Sequence, residues 1–144
     1  MVEVSDSRFS ILLVEDNPAD VMFTMEAFSQ LEITNPLEVA EDGDEALRIL
    51  GLRRDNAPGL ILLDLNLPKR SGREVLAEIK ADERLKSIPV IVLSTSKDPK
   101  DVYMAYSGNA NCYITKPRDL YNFIEVVSEI KKFWLNVALL PEYQ

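Results

Sequence analysis

Short apolar runs and helical stripes alternate along this chain. Phe9-Ser10-Ile11-Leu12-Leu13-Val14 is apolar and stops abruptly at Glu15-Asp16. Asn17-Pro18 follows, an N-cap residue ahead of proline at the first helical position, which is an efficient helix start. Val21, Met25 and Phe28 then recur at spacings of four and three, predicting one face of a helix. Asn35-Pro36 breaks the chain, Leu37 to Ala40 predicts a short strand, and Glu41-Asp42-Gly43 predicts the turn after it. Asp44 to Arg54 carries Ala46, Leu47 and Leu50 on one helical stripe, and Pro58-Gly59 ends that unit.

The second half repeats the alternation. Leu60-Ile61-Leu62-Leu63 stops at Asp64, and Val75, Leu76 and Ile79 mark a third helix. Pro89-Val90-Ile91-Val92-Leu93 stops at Ser94-Thr95-Ser96, and Val102, Ala105 and Tyr106 suggest a short fourth helix. Asn111 to Thr115 is a shorter, less apolar strand ending at Lys116-Pro117. Leu120, Phe123, Ile124, Val127 and Ile130 form the most regular stripe of all. Strands that read as unbroken apolar runs are buried on both faces, the mark of a parallel sheet. Five such strand–helix units predict an α/β fold with right-handed crossovers.

At 144 residues the chain predicts one domain, residues 1–144, and its 47% apolar composition is that of an ordinary globular protein. The net charge of −8 disfavours sequence-independent nucleic-acid binding. Histidine is absent, which removes histidine bases, histidine-built zinc sites and any phosphohistidine on this chain. A single cysteine, Cys112, excludes intrachain disulfides and CxxC chemistry. No apolar run approaches the length of a membrane span, and Met1 to Ser10 lacks a signal-peptide core. The expected compartment is therefore the cytoplasm, with no membrane attachment.

In open α/β sheets, ligands bind beyond the carboxyl ends of the strands. Those ends carry Glu15 and Asp16, then Asp64 and Asn66, then Ser94 and Thr95, then Lys116. Each has an ordinary structural reading: the acids as helix-start or turn residues, the hydroxyls as caps, Lys116 as a surface lysine. Together, in order, on four strand ends, they suggest a site. Three packed carboxylates repel one another, and hard oxygen donors of this kind suit Mg²⁺. A carboxylate beside that ion is a nucleophile able to form an aspartyl phosphate, with a lysine and a hydroxyl for the phosphoryl oxygens.

Five blocks carry a resemblance: Ile11 to Asn17, Leu62 to Pro68, Ser71-Gly72, Pro89 to Ser94 and Tyr113 to Pro117. Their order and spacing resemble the receiver domain of two-component response regulators, over a core of about residues 8–133. The resemblance implies a five-stranded doubly wound, flavodoxin-like sheet of order 2-1-3-4-5 with five helices. It implies Asp64 as phosphoacceptor, and Glu15, Asp16, Asp64 and the Asn66 backbone carbonyl as the Mg²⁺ ligands. It implies Ser94 and Lys116 as phosphoryl contacts, Tyr113 with Ser94 as the switch, and a cis peptide between Lys116 and Pro117. The implied donor is a histidine kinase; a chain without histidine cannot be that kinase itself.

Residues 134–144 form an apolar C-terminal extension, too short for a DNA-binding output domain, so the expected output is a protein contact. Phe133 to Leu140 is almost wholly apolar. Exposed apolar patches tend to mark interfaces, which makes Phe133, Trp134, Leu135, Leu139 and Leu140 candidate homodimer contacts; the other reading folds them back onto the chain's own last helix. With Glu15 to Asp20, Asn66 to Lys69 and Asn111 to Lys116, this ending resembles the stand-alone regulators of cyanobacterial phytochrome kinases, implying a light-sensing kinase partner. The alternatives are a receiver of another pathway, such as chemotaxis, and a docking-only pseudo-receiver. A haloacid-dehalogenase-type enzyme would need an acid where Asn66 stands, and a flavin phosphate would be repelled by Glu15-Asp16. The expected protein is a self-modifying signalling switch, not an enzyme acting on a separate substrate.

Overall fold

The computed structural model describes residues 9–53 and 56–141. Arg54 at the end of the expected second helix, the polar segment up to Arg8, and Glu142 to Gln144 of the extension lie outside the described residues.

Five strands form one parallel sheet of order β2-β1-β3-β4-β5, the order the receiver resemblance implies. They are β1 (Ile11–Val14), β2 (Leu37–Ala40), β3 (Leu60–Leu63), β4 (Val90–Ser94) and β5 (Cys112–Thr115). The helices between and after them are α1 (Pro18–Gln30), α2 (Gly43–Leu52), α3 (Gly72–Ala81), α4 (Pro99–Ser107) and α5 (Leu120–Ile130). The three central strands are buried throughout, whereas β2 and β5 at the two edges are largely half-exposed. That is why only β1, β3 and β4 read as unbroken apolar runs.

Alternate strand residues feed two separate cores. Leu12, Val14, Ile61, Leu63, Val90 and Val92 pack with α2, α3 and α4. Ile11, Leu13, Leu60, Leu62, Ile91 and Leu93 pack with α1 and α5. The period-2 alternation of a strand thus supplies both faces of the doubly wound layer.

Local sequence explains most helix ends. The Asn17 side chain accepts from the Ala19 and Asp20 N–H groups to open α1, and Asp42, Asp98 and Asp119 cap α2, α4 and α5. Ser71 and Glu74 form a reciprocal capping box at α3.

Two stripes differ from expectation. Met25 is exposed, and the buried positions of α1 are Thr24, Ala27 and Phe28. Thr24 is tolerated there because its hydroxyl donates to the Asp20 carbonyl at 2.9 Å. In α4 only Ala105 is buried, and Tyr106 faces outward.

The extension does not leave α5 as a strap. The helix continues through Lys131–Val137 as a wider π-helical segment. Trp134 and Leu135 pack back against the α1–α5 core, so the fold-back reading holds for them, while Phe133, Val137 and Leu139 present apolar side chains to solvent.

Candidate functional site

The register brings the functional strand ends level. Val14 lies opposite Ala40 on one side and Leu63 on the other, Leu63 pairs with Val92, and Ser94 pairs with Thr115. Pairing continues past the strands: Glu15 N–H donates to the Ala40 carbonyl (2.9 Å), Asp64 N–H to Val14 (3.1 Å) and Lys116 N–H to Ser94 (2.7 Å). Glu15, Asp64, Ser94 and Lys116 are therefore held by backbone bonds at one rim of the sheet, and all four are buried.

The Lys116 ammonium sits at the centre of the acids. Its Nζ donates to Glu15 Oε1 at 2.7 Å, Asp20 Oδ2 at 2.9 Å and Asp64 Oδ2 at 3.2 Å. All three donors of the ammonium are thereby used. One oxygen each from Glu15, Asp16 and Asp64 also lie within 4.8 Å of one another, with Asp16 exposed to solvent. One cation among four carboxylates leaves local negative charge in excess. That excess, and the all-oxygen donor set, fit a hard divalent cation open to water on the Asp16 side.

The charge balance is visible in the titration of the buried pair. Burial pushes the Glu15 carboxyl up to about 7, and the hydrogen bond and charge of Lys116 offset this only in part. Burial alone would depress Lys116, but its bonds to Glu15 and Asp20 and the charge of Asp64 outweigh that and raise it. Lys116 is thus held firmly as an ammonium, and Glu15 is the group whose proton is exchangeable near neutrality.

The loop after β3 is shaped around Asp64. Asn66 N–H donates to Asp64 Oδ1 at 3.2 Å, and Gly72 N–H donates to the Leu65 carbonyl at 2.9 Å. A Cβ at Gly72 would collide with the Asp64 carbonyl oxygen and the Leu65 Cα, so α3 reaches this loop only with glycine there. Lys69, in the same loop, takes a left-handed φ of 68° and pairs with Asp42 at 3.5 Å.

Around Ser94 the contacts run into the β4–α4 loop. Ser96 N–H donates to Ser94 Oγ at 3.2 Å. The Tyr113 hydroxyl donates to the Ser96 carbonyl at 2.9 Å, which turns the half-buried ring toward that loop.

Two points depart from the sequence reading. The expected cis peptide at Lys116-Pro117 is absent: no peptide bond among the described residues is cis. Trans is the favoured isomer even before proline, by about 0.5–1 kcal/mol, and Lys116 reaches its three carboxylates from it. Asp20 was missed. It sits in the first turn of α1, one turn beyond Asp16, but its partner lies 96 residues away, a distance no local pattern spans.

Comparison with known proteins follows the same lines. The model of the response regulator receiver domain matches residues 11–128. Response regulator Rcp1 of Synechocystis sp. is 45% identical over 98% of this chain and 99% of its own length. The probable methanogenesis regulatory protein FilR2 of Methanothrix harundinacea is also 45% identical, over 91% of this chain and 86% of its own. The phosphorylated cyanobacterial phytochrome response regulator RcpA superposes with a TM-score of 0.87 at 45% identity, over 94% of this chain and 99% of that one. The Mn²⁺-bound form of Rcp1 superposes with a TM-score of 0.84 at 44% identity, over 92% and 99%. Among the described residues no helix is long and apolar enough to cross a membrane.

Proposed function

This chain belongs to the response regulator receiver family, and on that premise we propose that it accepts a phosphoryl group on Asp64 from a partner histidine kinase. The observation that carries the reading is the Lys116 ammonium bonded at once to Asp64, Glu15 and Asp20, beside the oxygen cluster of Glu15, Asp16 and Asp64. An Asp64 carboxylate oxygen attacks phosphorus, the P–N bond of the donor phosphohistidine breaks, and its electron pair stays on the imidazole nitrogen. Lys116 neutralises charge growing on a phosphoryl oxygen, and the Ser94 hydroxyl donates to another. Glu15, Asp16, Asp64 and the Asn66 carbonyl are the residues that would hold Mg²⁺. That ion would supply Lewis-acid compensation of phosphoryl charge, and the existence of a Mn²⁺-bound form of Rcp1 supports a divalent cation in a relative of this fold.

The kinase is of the phytochrome type in this reading, supported by the likeness to RcpA and Rcp1 over nearly the whole chain. The output is a protein contact in the cytoplasm, without direct nucleic-acid binding at a net charge of −8. The protein pairs with a second copy through the outward residues of its last helical segment, Phe133, Val137 and Leu139, which expose apolar surface. Trp134 and Leu135 support that surface from beneath.

Intact-protein mass after incubation with acetyl phosphate and Mg²⁺ tests the central claim. One added phosphoryl group is expected, absent from Asp64→Asn and from chelator-treated protein. No adduct and no beryllofluoride binding by the wild-type chain would overturn it.

A further inference from the structure

Ser96 makes more connections within the switch region than any role yet assigned requires. Its N–H donates to Ser94 Oγ, which leaves the Ser94 proton free for a phosphoryl oxygen. Its carbonyl accepts from the Tyr113 hydroxyl. Its own hydroxyl donates to Asp101 Oδ2 at 2.6 Å and accepts the Asp98 N–H at 3.2 Å. Asp101, in the first turn of α4, accepts from Arg73 Nη2 at 2.8 Å through its other oxygen.

Arg73 stands next to Gly72, the residue that lets α3 pack on the Asp64 carbonyl. The first turn of α3 therefore touches the phosphoacceptor loop at one residue and, at the next, bonds the first-turn Asp101 of α4 that holds the Ser96 hydroxyl. Helix capping alone does not explain this bridge. The N-cap of α4 is Asp98, whose carboxylate already accepts the Lys100 N–H at 3.0 Å.

We propose that Ser96 is the positioning residue of the phosphoryl switch, and that the Arg73–Asp101 pair acts through it. This rests on the phosphoacceptor reading above. The Ser96 backbone holds the Ser94 and Tyr113 hydroxyls in a fixed mutual arrangement. The Ser96 side chain, tied to Asp101 and thence to α3, sets where that backbone lies. The bridge thus favours the conformation in which Ser94 is ready to donate to a phosphoryl group on Asp64.

Beryllofluoride, a phosphoryl stand-in for Asp64, is titrated calorimetrically in Mg²⁺ against wild type, Ser96→Ala, Ser96→Thr, Asp101→Ala, Arg73→Ala and Ser96→Ala/Asp101→Ala. Ser96→Ala and Asp101→Ala are each expected to weaken binding about fivefold, the order of one net hydrogen bond. Ser96→Thr keeps the hydroxyl and restores wild-type affinity. The double variant is no weaker than either single one, because both break the same chain. Thermal melts report folding, and exposed Arg73→Ala repeats the test away from the loop. Wild-type affinity in folded Ser96→Ala and Asp101→Ala overturns the positioning role while leaving the phosphoacceptor reading intact, as does additivity in the double variant. Failure of the wild-type chain to bind overturns both.

Discussion

The Lys116 ammonium and the Glu15 carboxylate meet at 2.7 Å with both side chains almost wholly enclosed, although 101 residues separate them. Taking one partner from a buried pair costs more than the pair itself contributes, because the other charge remains uncompensated. Lys116→Met is therefore expected to destabilise chelator-treated protein by about 3 kcal/mol in urea unfolding at pH 8. The loss shrinks at pH 5, where Glu15 takes up a proton, and shrinks on adding Mg²⁺. An equal loss under all three conditions would mean that the charge cluster is not its source.

Glu15 also predicts a pH dependence. Its carboxyl is raised from 4.5 to about 7 in the fold, so the folded chain binds an extra proton between those values. This contribution to stability is fully present below pH 4.5 and is lost as pH rises through 7. A divalent cation must displace the same proton. Mg²⁺ affinity is expected to rise about tenfold per pH unit below 7 and flatten above it. Calorimetry in buffers of different ionisation enthalpy counts the released proton, and Glu15→Gln should abolish both the slope and the release.

Gly72 faces a steric limit set by the phosphoacceptor loop. Gly72→Ala puts a methyl into the Asp64 carbonyl, and backbone must move to admit it. We expect a loss of about 2 kcal/mol in stability and slower labelling by acetyl phosphate. Gly51→Ala, where a Cβ meets nothing within 4 Å, is the control and should lose neither.

The helical extension divides into two roles that mutation separates. Phe133→Asp and Leu139→Asp should shift sedimentation from dimer to monomer and leave the melting temperature of the monomer nearly unchanged. Trp134→Ala removes a ring packed on the α1–α5 core and should lower monomer stability by about 2 kcal/mol. A chain that sediments as a monomer before and after these changes would leave the exposed apolar residues without their proposed partner.

Much of this was legible before any fold was drawn. Apolar runs ending in Glu15, Asp64, Ser94 and Lys116 identify strands, and they also identify the rim where side chains converge, because ligands gather at the strand carboxyl ends. The start of α1 at Asn17-Pro18 reads from capping chemistry alone, whereas the caps Asp42, Ser71, Asp98 and Asp119 came from the structure. Less was legible where periodicity was satisfied by more than one stripe. Met25 completes an apolar pattern as well as Thr24 breaks one, yet Thr24 is inside, because a hydroxyl bonded to its own helix can be buried cheaply.

What the sequence by itself determined was order: five alternating units, their strand ends, and the residue types collected there. These follow from local physics, the period of a strand or helix and the hydrogen bonds of a cap. Only the tertiary structure decided distance. Asp20 joins Lys116, Arg73 reaches Asp101, and Trp134 turns in while Phe133 turns out. Each depends on how α1, α3 and α5 lie against the sheet and one another. That is set by summed side-chain packing across the whole layer, a quantity no short stretch of sequence contains.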